Sequence, residues 1–153
     1  MKVLLLLLLL LIVGGLGYWQ FFYNKAEVVP TVLRVGNNAL YVSDQRADAV
    51  VTVALVSLDR SGYVVIYADN KGIPGDILGN SAILSAGEHR KVSVRLIRFT
   101  SNGEHLFAVL HEDNGDGSFY PPVDTSIKDQ DGNAISMPFV IDNSAQAPPE
   151  IKL

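Results

Sequence analysis

In the stretch Lys91-Val92-Ser93-Val94-Arg95-Leu96, apolar and polar residues alternate without a break. Side chains of an extended chain point to opposite faces in turn, so Val92, Val94 and Leu96 share one face and Lys91, Ser93 and Arg95 the other. The pattern predicts a half-buried strand with one wet face. It also explains the nearest thing to a basic cluster in the chain, Arg90, Lys91, Arg95 and Arg98, as a solvated strand surface.

Working outward, the same reading recurs. Ala49 to Leu58 and Tyr63 to Ala68 are valine-rich and almost wholly apolar, as expected for central strands covered on both faces. His105 to His111 places Leu106, Ala108 and Leu110 on one face, with Phe107 and Val109 between the two histidines on the other. Ile135, Met137, Phe139 and Ile141 alternate again, and Pro138, which cannot donate to a ladder, requires an edge or a break there. Shorter strands are expected over Ala39–Val42 and Ser81–Leu84. Turn signals separate the runs: Arg60-Ser61-Gly62, Asn70-Lys71-Gly72 with Pro74-Gly75, Ala86-Gly87, Ser101-Asn102-Gly103, Asn114-Gly115-Asp116-Gly117 and Asp131-Gly132-Asn133. No stretch after Tyr23 sustains a helical period with caps. About seven short strands predict an all-β domain, an antiparallel immunoglobulin-like β-sandwich, with a small Greek-key barrel as the alternative.

The N-terminus is of another kind. Lys2 and Val3 precede an unbroken leucine run from Leu4 to Leu11, then Ile12, Val13, the glycine-rich Gly14 to Gly17, and the aromatic group Tyr18, Trp19, Phe21, Phe22 and Tyr23. About 20 helical residues span the ~30 Å hydrocarbon core of a bilayer. Residues 1–23 are therefore expected to form one transmembrane signal-anchor, contacting the lipid bilayer through residues 3–23, its aromatic rings at the interface. Gly15-Leu16-Gly17 is a small-x-small site, and cleavage after Gly17 would release a secreted domain instead. Lys2 ahead of the segment favours a cytoplasmic N-terminus and an extracytoplasmic C-terminal domain. The chain has no cysteine, which excludes a lipoprotein anchor and a disulfide framework. Residues 24–36 then serve as stalk and first strand, 37–142 as the sandwich, and 143–153, with Pro148-Pro149, as a loose tail. The net charge of −4 argues against a nucleic-acid partner.

The densest polar feature is Glu112, Asp113, Asn114, Asp116, Asp124, Asp129 and Asp131. Hard cations such as Ca²⁺ take six to eight oxygens, so Glu112, Asp113, Asn114, Asp116 and Asp124 are the candidate metal ligands, and Ca²⁺ the one candidate cofactor. An EF-hand register starting at Glu112 fails at its first position and at its twelfth, Val123. The competing reading is a solvated loop whose Asn-Gly and Asp-Gly pairs supply turn geometry. Copper or zinc could use His89, His105 and His111, but the latter two stand about 20 Å apart on a straight strand at ~3.3 Å per residue. Gly72, Gly75 and Gly79 lack the Lys-Ser/Thr of a phosphate cradle and read as a turn, and Ser81 lacks a nucleophile elbow. No Asn-x-Ser/Thr acceptor occurs. Without a convergent catalytic set, no enzyme activity is expected.

The order of motifs also carries a resemblance. Asp44-Gln45 precedes the valine-rich strand, followed by Ser61-Gly62-Tyr63-Val64-Val65-Ile66, Pro74-Gly75-Asp76-Ile77-Leu78-Gly79 and Leu84-Ser85-Ala86-Gly87-Glu88-His89. Leu106 to Asp113, the Gly-Asp-Gly turn with Phe119, Asp131-Gly132-Asn133 and Phe139-Val140-Ile141 complete it. The series, from Leu40 to Ile141, resembles a family of uncharacterised β-sandwich modules in secreted and surface proteins of archaea and bacteria. The resemblance implies fold and location and assigns no residue a role. Together these readings predict a non-catalytic envelope or surface module whose partner is a surface protein, a glycan or a cell-wall polymer.

Overall fold

The computed structural model describes residues 30–146, which contain eight strands and no helix. They are β1 (Leu33–Val35), β2 (Asn38–Tyr41), β3 (Val50–Leu58), β4 (Gly62–Asn70), β5 (Ile73–Asn80), β6 (Gly87–Arg95), β7 (His105–Glu112) and β8 (Ser136–Val140). The expected membrane segment 1–23, the stalk to Val29 and the tail from residue 147 lie outside the described residues. No helix among the described residues is long and apolar enough to cross a membrane.

Two four-stranded antiparallel sheets form, ordered β1-β2-β3-β6 and β5-β4-β7-β8. Their inner faces share one core: Leu40, Val51, Val53 and Val94 from the first sheet meet Val64, Ile66, Leu106, Ala108, Leu110 and Phe139 from the second. This is a β-sandwich, and the separate sheets set aside the barrel alternative. The valine-rich runs are the central strands β3 and β4, as their composition requires. Wet-face residues Lys91, Ser93 and Arg95 are exposed, and Val92 and Val94 are buried. Between Val53 and Val56 the inward phase of β3 slips by one residue. Ala54 and Lys91 drop out of the paired run there, and Lys91 takes a φ of 52°. Ala54 and Leu55 then join Tyr41 in a smaller second cluster.

The sequence reading needs one substantive correction. Residues 73–80, read as a turn because of Gly72, Gly75 and Gly79, form the edge strand β5, and the strand expected at Ser81–Leu84 is absent. The turn is only Lys71-Gly72, both at positive φ (57° and 88°), a two-residue hairpin loop whose twist suits the flanking strands. The glycines of β5 answer close packing instead: a Cβ on Gly79 would lie 2.2 Å from the Arg95 carbonyl oxygen. Pro74 is tolerated because β5 is an edge. Ser81 and Leu84 still bond to β4, through Val64 and Gly62, without forming a strand of their own.

β8 is also an edge strand, which accommodates Pro138. Its free side is partly closed by Asp44-Gln45: the Val140 amide donates to Asp44 Oδ1 (2.8 Å), and Gln45 exchanges backbone bonds with Val140 and Asp142. The sandwich therefore has a lower end, where β3 and β7 begin, and an upper end, where they finish and the acidic segment starts.

Candidate functional site: the acidic loop and the aromatic face beneath it

β4 and β7 lie side by side in the second sheet, in a register that sets Tyr63 opposite His111, Val65 opposite Val109 and Tyr67 opposite Phe107. These six point away from the core, because their neighbours Val64, Ile66, Leu106, Ala108 and Leu110 point into it. An outward face is ordinarily wet, yet five of the six are buried and Tyr67 is half-buried. Part of the cover comes from Phe119 in the acidic loop, whose ring centroid is 5.3 Å from Tyr63 and 5.5 Å from His111. The rest comes from the face itself. Tyr67 and His111 stand four residues apart in register, about 13 Å along the strands, yet Tyr67 Oη lies 2.9 Å from His111 Nε2. Both side chains must lean toward each other across the Val65–Val109 pair, which they shield.

His111 is held at both nitrogens. Nδ1 lies 2.7 Å from the Asp124 carbonyl oxygen. A carbonyl can only accept, so Nδ1 carries the hydrogen and, in the neutral ring, Nε2 accepts from the Tyr67 hydroxyl. Burial pushes the His111 pKa below the ordinary histidine value, and the Asp124 bond and charge only partly oppose it. His111 is thus a buried, hydrogen-bonded residue near the end of a core strand.

The five candidate ligands gather at the upper end, where Asp113, Asn114, Asp116 and Asp124 have side-chain oxygens engaged by the chain itself. Asp124 is buried, and its carboxylate accepts from the Asn114 amide (3.0 Å) and the Tyr120 amide (2.6 Å), stapling the loop shut. Asp113 Oδ1 accepts from the Tyr63 hydroxyl (3.2 Å) and the Gly117 amide (3.1 Å). Asn114 and Asp116 bond to each other, and Asp116 Oδ1 also accepts from the Ser118 amide (2.8 Å). Glu112 is exposed at the end of β7. Further on, Asp129 Oδ1 accepts from the Asp131 and Asn133 amides, and the Asn133 bond foremost holds its pKa low. Among the described residues no group of three or more His, Cys, Asp or Glu is disposed to hold a metal ion. The histidines do not converge: His89 is on β6 beside the Ser85 carbonyl, His105 is exposed at the lower end of β7, and His111 is buried at its upper end.

The acids also act on Tyr63. Burial first, then the charge and hydrogen bond of Asp113, push its pKa up to about 12. Sequence reasoning missed the Tyr63–Tyr67–His111–Phe119 cluster. Its signal was the four-residue spacing of Tyr63 and Tyr67 on one strand, matched by Phe107 and His111 on the next.

With this geometry in place, comparison with known proteins supplies the relationship. A sequence model of the family described as "Domain of unknown function (DUF7282)" matches residues 38–142. The chain belongs to the DUF7282 family. The matched span runs from the first residue of β2 to just past β8, so the DUF7282 unit covers the sandwich apart from β1. Two curated relatives are similar to it, both from Haloarcula hispanica. Cell surface glycoprotein 1 is 32% identical over 97 residues, 62% of this chain and 10% of the relative. Cell surface glycoprotein 2 is 29% identical over 109 residues, 70% of this chain and 12% of the relative. This DUF7282 chain thus spans about a tenth of the length of the curated relatives it matches. No solved structure matches it.

Proposed function

We propose that this chain is a membrane-anchored, extracytoplasmic module of the cell envelope that acts by contact rather than by catalysis. The observation that carries the reading is the likeness of its sandwich to two cell surface glycoproteins. The leucine-rich segment 1–23 supports it, having the length and aromatic flank of a signal-anchor. The strand order supports an immunoglobulin-like reading of the fold, with two consecutive strands, β4 and β5, crossing to the second sheet and β6 returning beside β3. Such sandwiches are common display units, and the partner here is a surface protein, a glycan or a cell-wall polymer. A non-catalytic role is supported by the site: His111 has both nitrogens engaged, and the loop carboxylates cap backbone amides.

The test uses the absence of native cysteine. Ser118→Cys, at the exposed tip of the acidic loop, is reacted in intact cells with a membrane-impermeant maleimide. Labelling without lysis, on full-length chain in the membrane fraction, is the expected result. Labelling only after lysis overturns the extracytoplasmic placement, and a chain found in the medium without residues 1–17 replaces the anchor with a cleaved signal. Ca²⁺ at Glu112, Asp113, Asn114, Asp116 and Asp124 is the competing reading. It gains first place if millimolar Ca²⁺ after EDTA raises the melting temperature by several degrees, since a ligand bound only by the native state stabilises it.

A further inference from the structure

The two most exposed large apolar side chains among the described residues sit in one short loop: Ile97 is 80% and Phe99 74% exposed. The loop that presents them is built, not slack. Leu96 and Thr100 donate backbone bonds to the Ala49 and Asp48 carbonyls, and Ile97 to that of Leu78 (2.8, 3.0 and 2.8 Å). The Thr100 hydroxyl is tied to Asp48 on both sides. Arg98, between the two apolar residues, is drawn back to Glu104, which also accepts from the Ser101 amide. Two large hydrophobic groups are thus held outward on a fixed frame, at a cost in apolar exposure that folding alone does not require.

Position decides what covers them. The loop caps the lower end, since Arg95 pairs with Val50 at the start of β3. Both directions of the chain also lead there. β1 runs antiparallel to β2 and starts at Leu33, so the chain enters the sheet heading upward from the lower side. After β8, Ile141 and Asn143 bond to Gly103, Glu104 and Asn102 of this same loop region. Length tightens the argument. Leu33 follows Tyr23 by ten Cα-to-Cα steps, at most about 36 Å when fully extended. Leu33 lies level with Leu40 and Val56, six residues above Val50, about 20 Å along the sheet. At most about 16 Å of leash is left beyond the level of Val50, and the loop 96–103 projects into that gap.

We infer that Ile97 and Phe99 form a membrane-docking tip, inserting into the headgroup–acyl boundary of the bilayer that holds residues 3–23. The inference rests on the anchored reading above and deepens it: the domain is seated against the lipid surface by its lower end rather than swinging free on its stalk. An aromatic and an aliphatic side chain held outward suit that boundary, where apolar surface is buried and polar backbone stays wet. Ile73, 61% exposed just past the β4–β5 turn at the same end, adds a third apolar contact. The acidic loop, at the upper end, is left facing outward.

The full-length chain, reconstituted in phosphatidylcholine–phosphatidylglycerol vesicles, provides the test. Single-cysteine variants I97C and F99C, and I83C at the opposite end, carry an environment-sensitive fluorophore. Flotation with the vesicles, with a blue-shifted label at 97 and 99 quenched by nitroxide lipid and a label at 83 quenched by aqueous iodide, is the expected result. Flotation with all three labels equally open to iodide overturns the docking tip and leaves the anchor standing. A label at 99 shielded from iodide but untouched by nitroxide lipid assigns the surface to a second copy and also overturns it. Failure to float removes the anchored reading, and the inference with it.

Discussion

β6 and β7 are strands of nearly equal length that begin from similar material and end in different surroundings. In β6 only Val92 and Val94 are buried, whereas in β7 six successive residues, Leu106 to His111, are. β6 is an edge strand with its outer face in water. β7 is central, and its outer face is roofed by its own aromatic residues and by Phe119 from the loop that follows. The comparison teaches that a single β-sandwich can carry two layers on one side and nearly three on the other. The third layer here is not a sheet but a stapled loop.

Glycines next to each strand give the sharpest way to break this contrast. A Cβ on Gly62 would sit 2.1 Å from the His111 carbonyl oxygen in β7, while one on Gly87 at the start of β6 meets nothing within 4 Å. Gly62→Ala is expected to cost about 4 kcal/mol or more, because backbone must move. Gly87→Ala should cost only about 1 kcal/mol, from its φ of 112°. Denaturant midpoints of the full chain measure both, and equal losses would refute the tight β4–β7 approach.

Next in size is the staple. Asp124→Ala leaves the Asn114 and Tyr120 amides without their partner and is expected to cost about 2–3 kcal/mol. Amide exchange should quicken over β7 while leaving β6 unchanged. Glu88→Ala on the exposed surface of β6 should stay within about 0.5 kcal/mol.

The roof itself is tested by Val109→Ala, which should cost about 2 kcal/mol, as much as Val94→Ala in the shared core. Ser93→Ala, outward on β6, should change stability by less than about 0.5 kcal/mol. A Val109 effect as small as that of Ser93 would mean that the outer face of β7 is as wet as that of β6.

Smaller still are the proton-linked effects. Because folding lowers the His111 pKa, the unfolded chain binds more protons as pH falls from the ordinary histidine value of about 6.5 toward the folded one. The stabilisation is present above that window and is lost as pH falls through it, and His111→Gln should flatten that part of the profile. Tyr63 behaves oppositely. Its folded pKa of about 12 exceeds the ordinary 10, so its contribution is present below pH 10 and lost as pH rises toward 12. Tyr63→Phe should remove this alkaline loss in a melting-temperature series.

What the sequence determined by itself follows from local periodicity. Alternation at Lys91–Leu96 and the apolar runs at Ala49–Leu58 and Tyr63–Ala68 already specify a half-buried strand with one wet face and two central strands, because a strand's two faces are written at every second residue. Pro138 likewise announces an edge or a break, and the structure makes it an edge. Membership of a surface-module family was legible in the ordered motifs from Leu40 to Ile141. β5 was not legible, since Gly75 and Gly79 mimic a turn until the backbone of Arg95 is seen pressing against Gly79. The acidic segment was visible as a cluster, but its use was not. Whether Asp113, Asp116 and Asp124 face a cation or their own backbone amides depends on how the loop closes, and Asp124 closes it only by reaching back to Asn114 and His111. Only the tertiary structure brought Tyr63, Tyr67, His111 and Phe119 together and set Ile97 and Phe99 at the end from which β1 rises and to which β8 descends. Such contacts join residues far apart in the chain, and no local period records them.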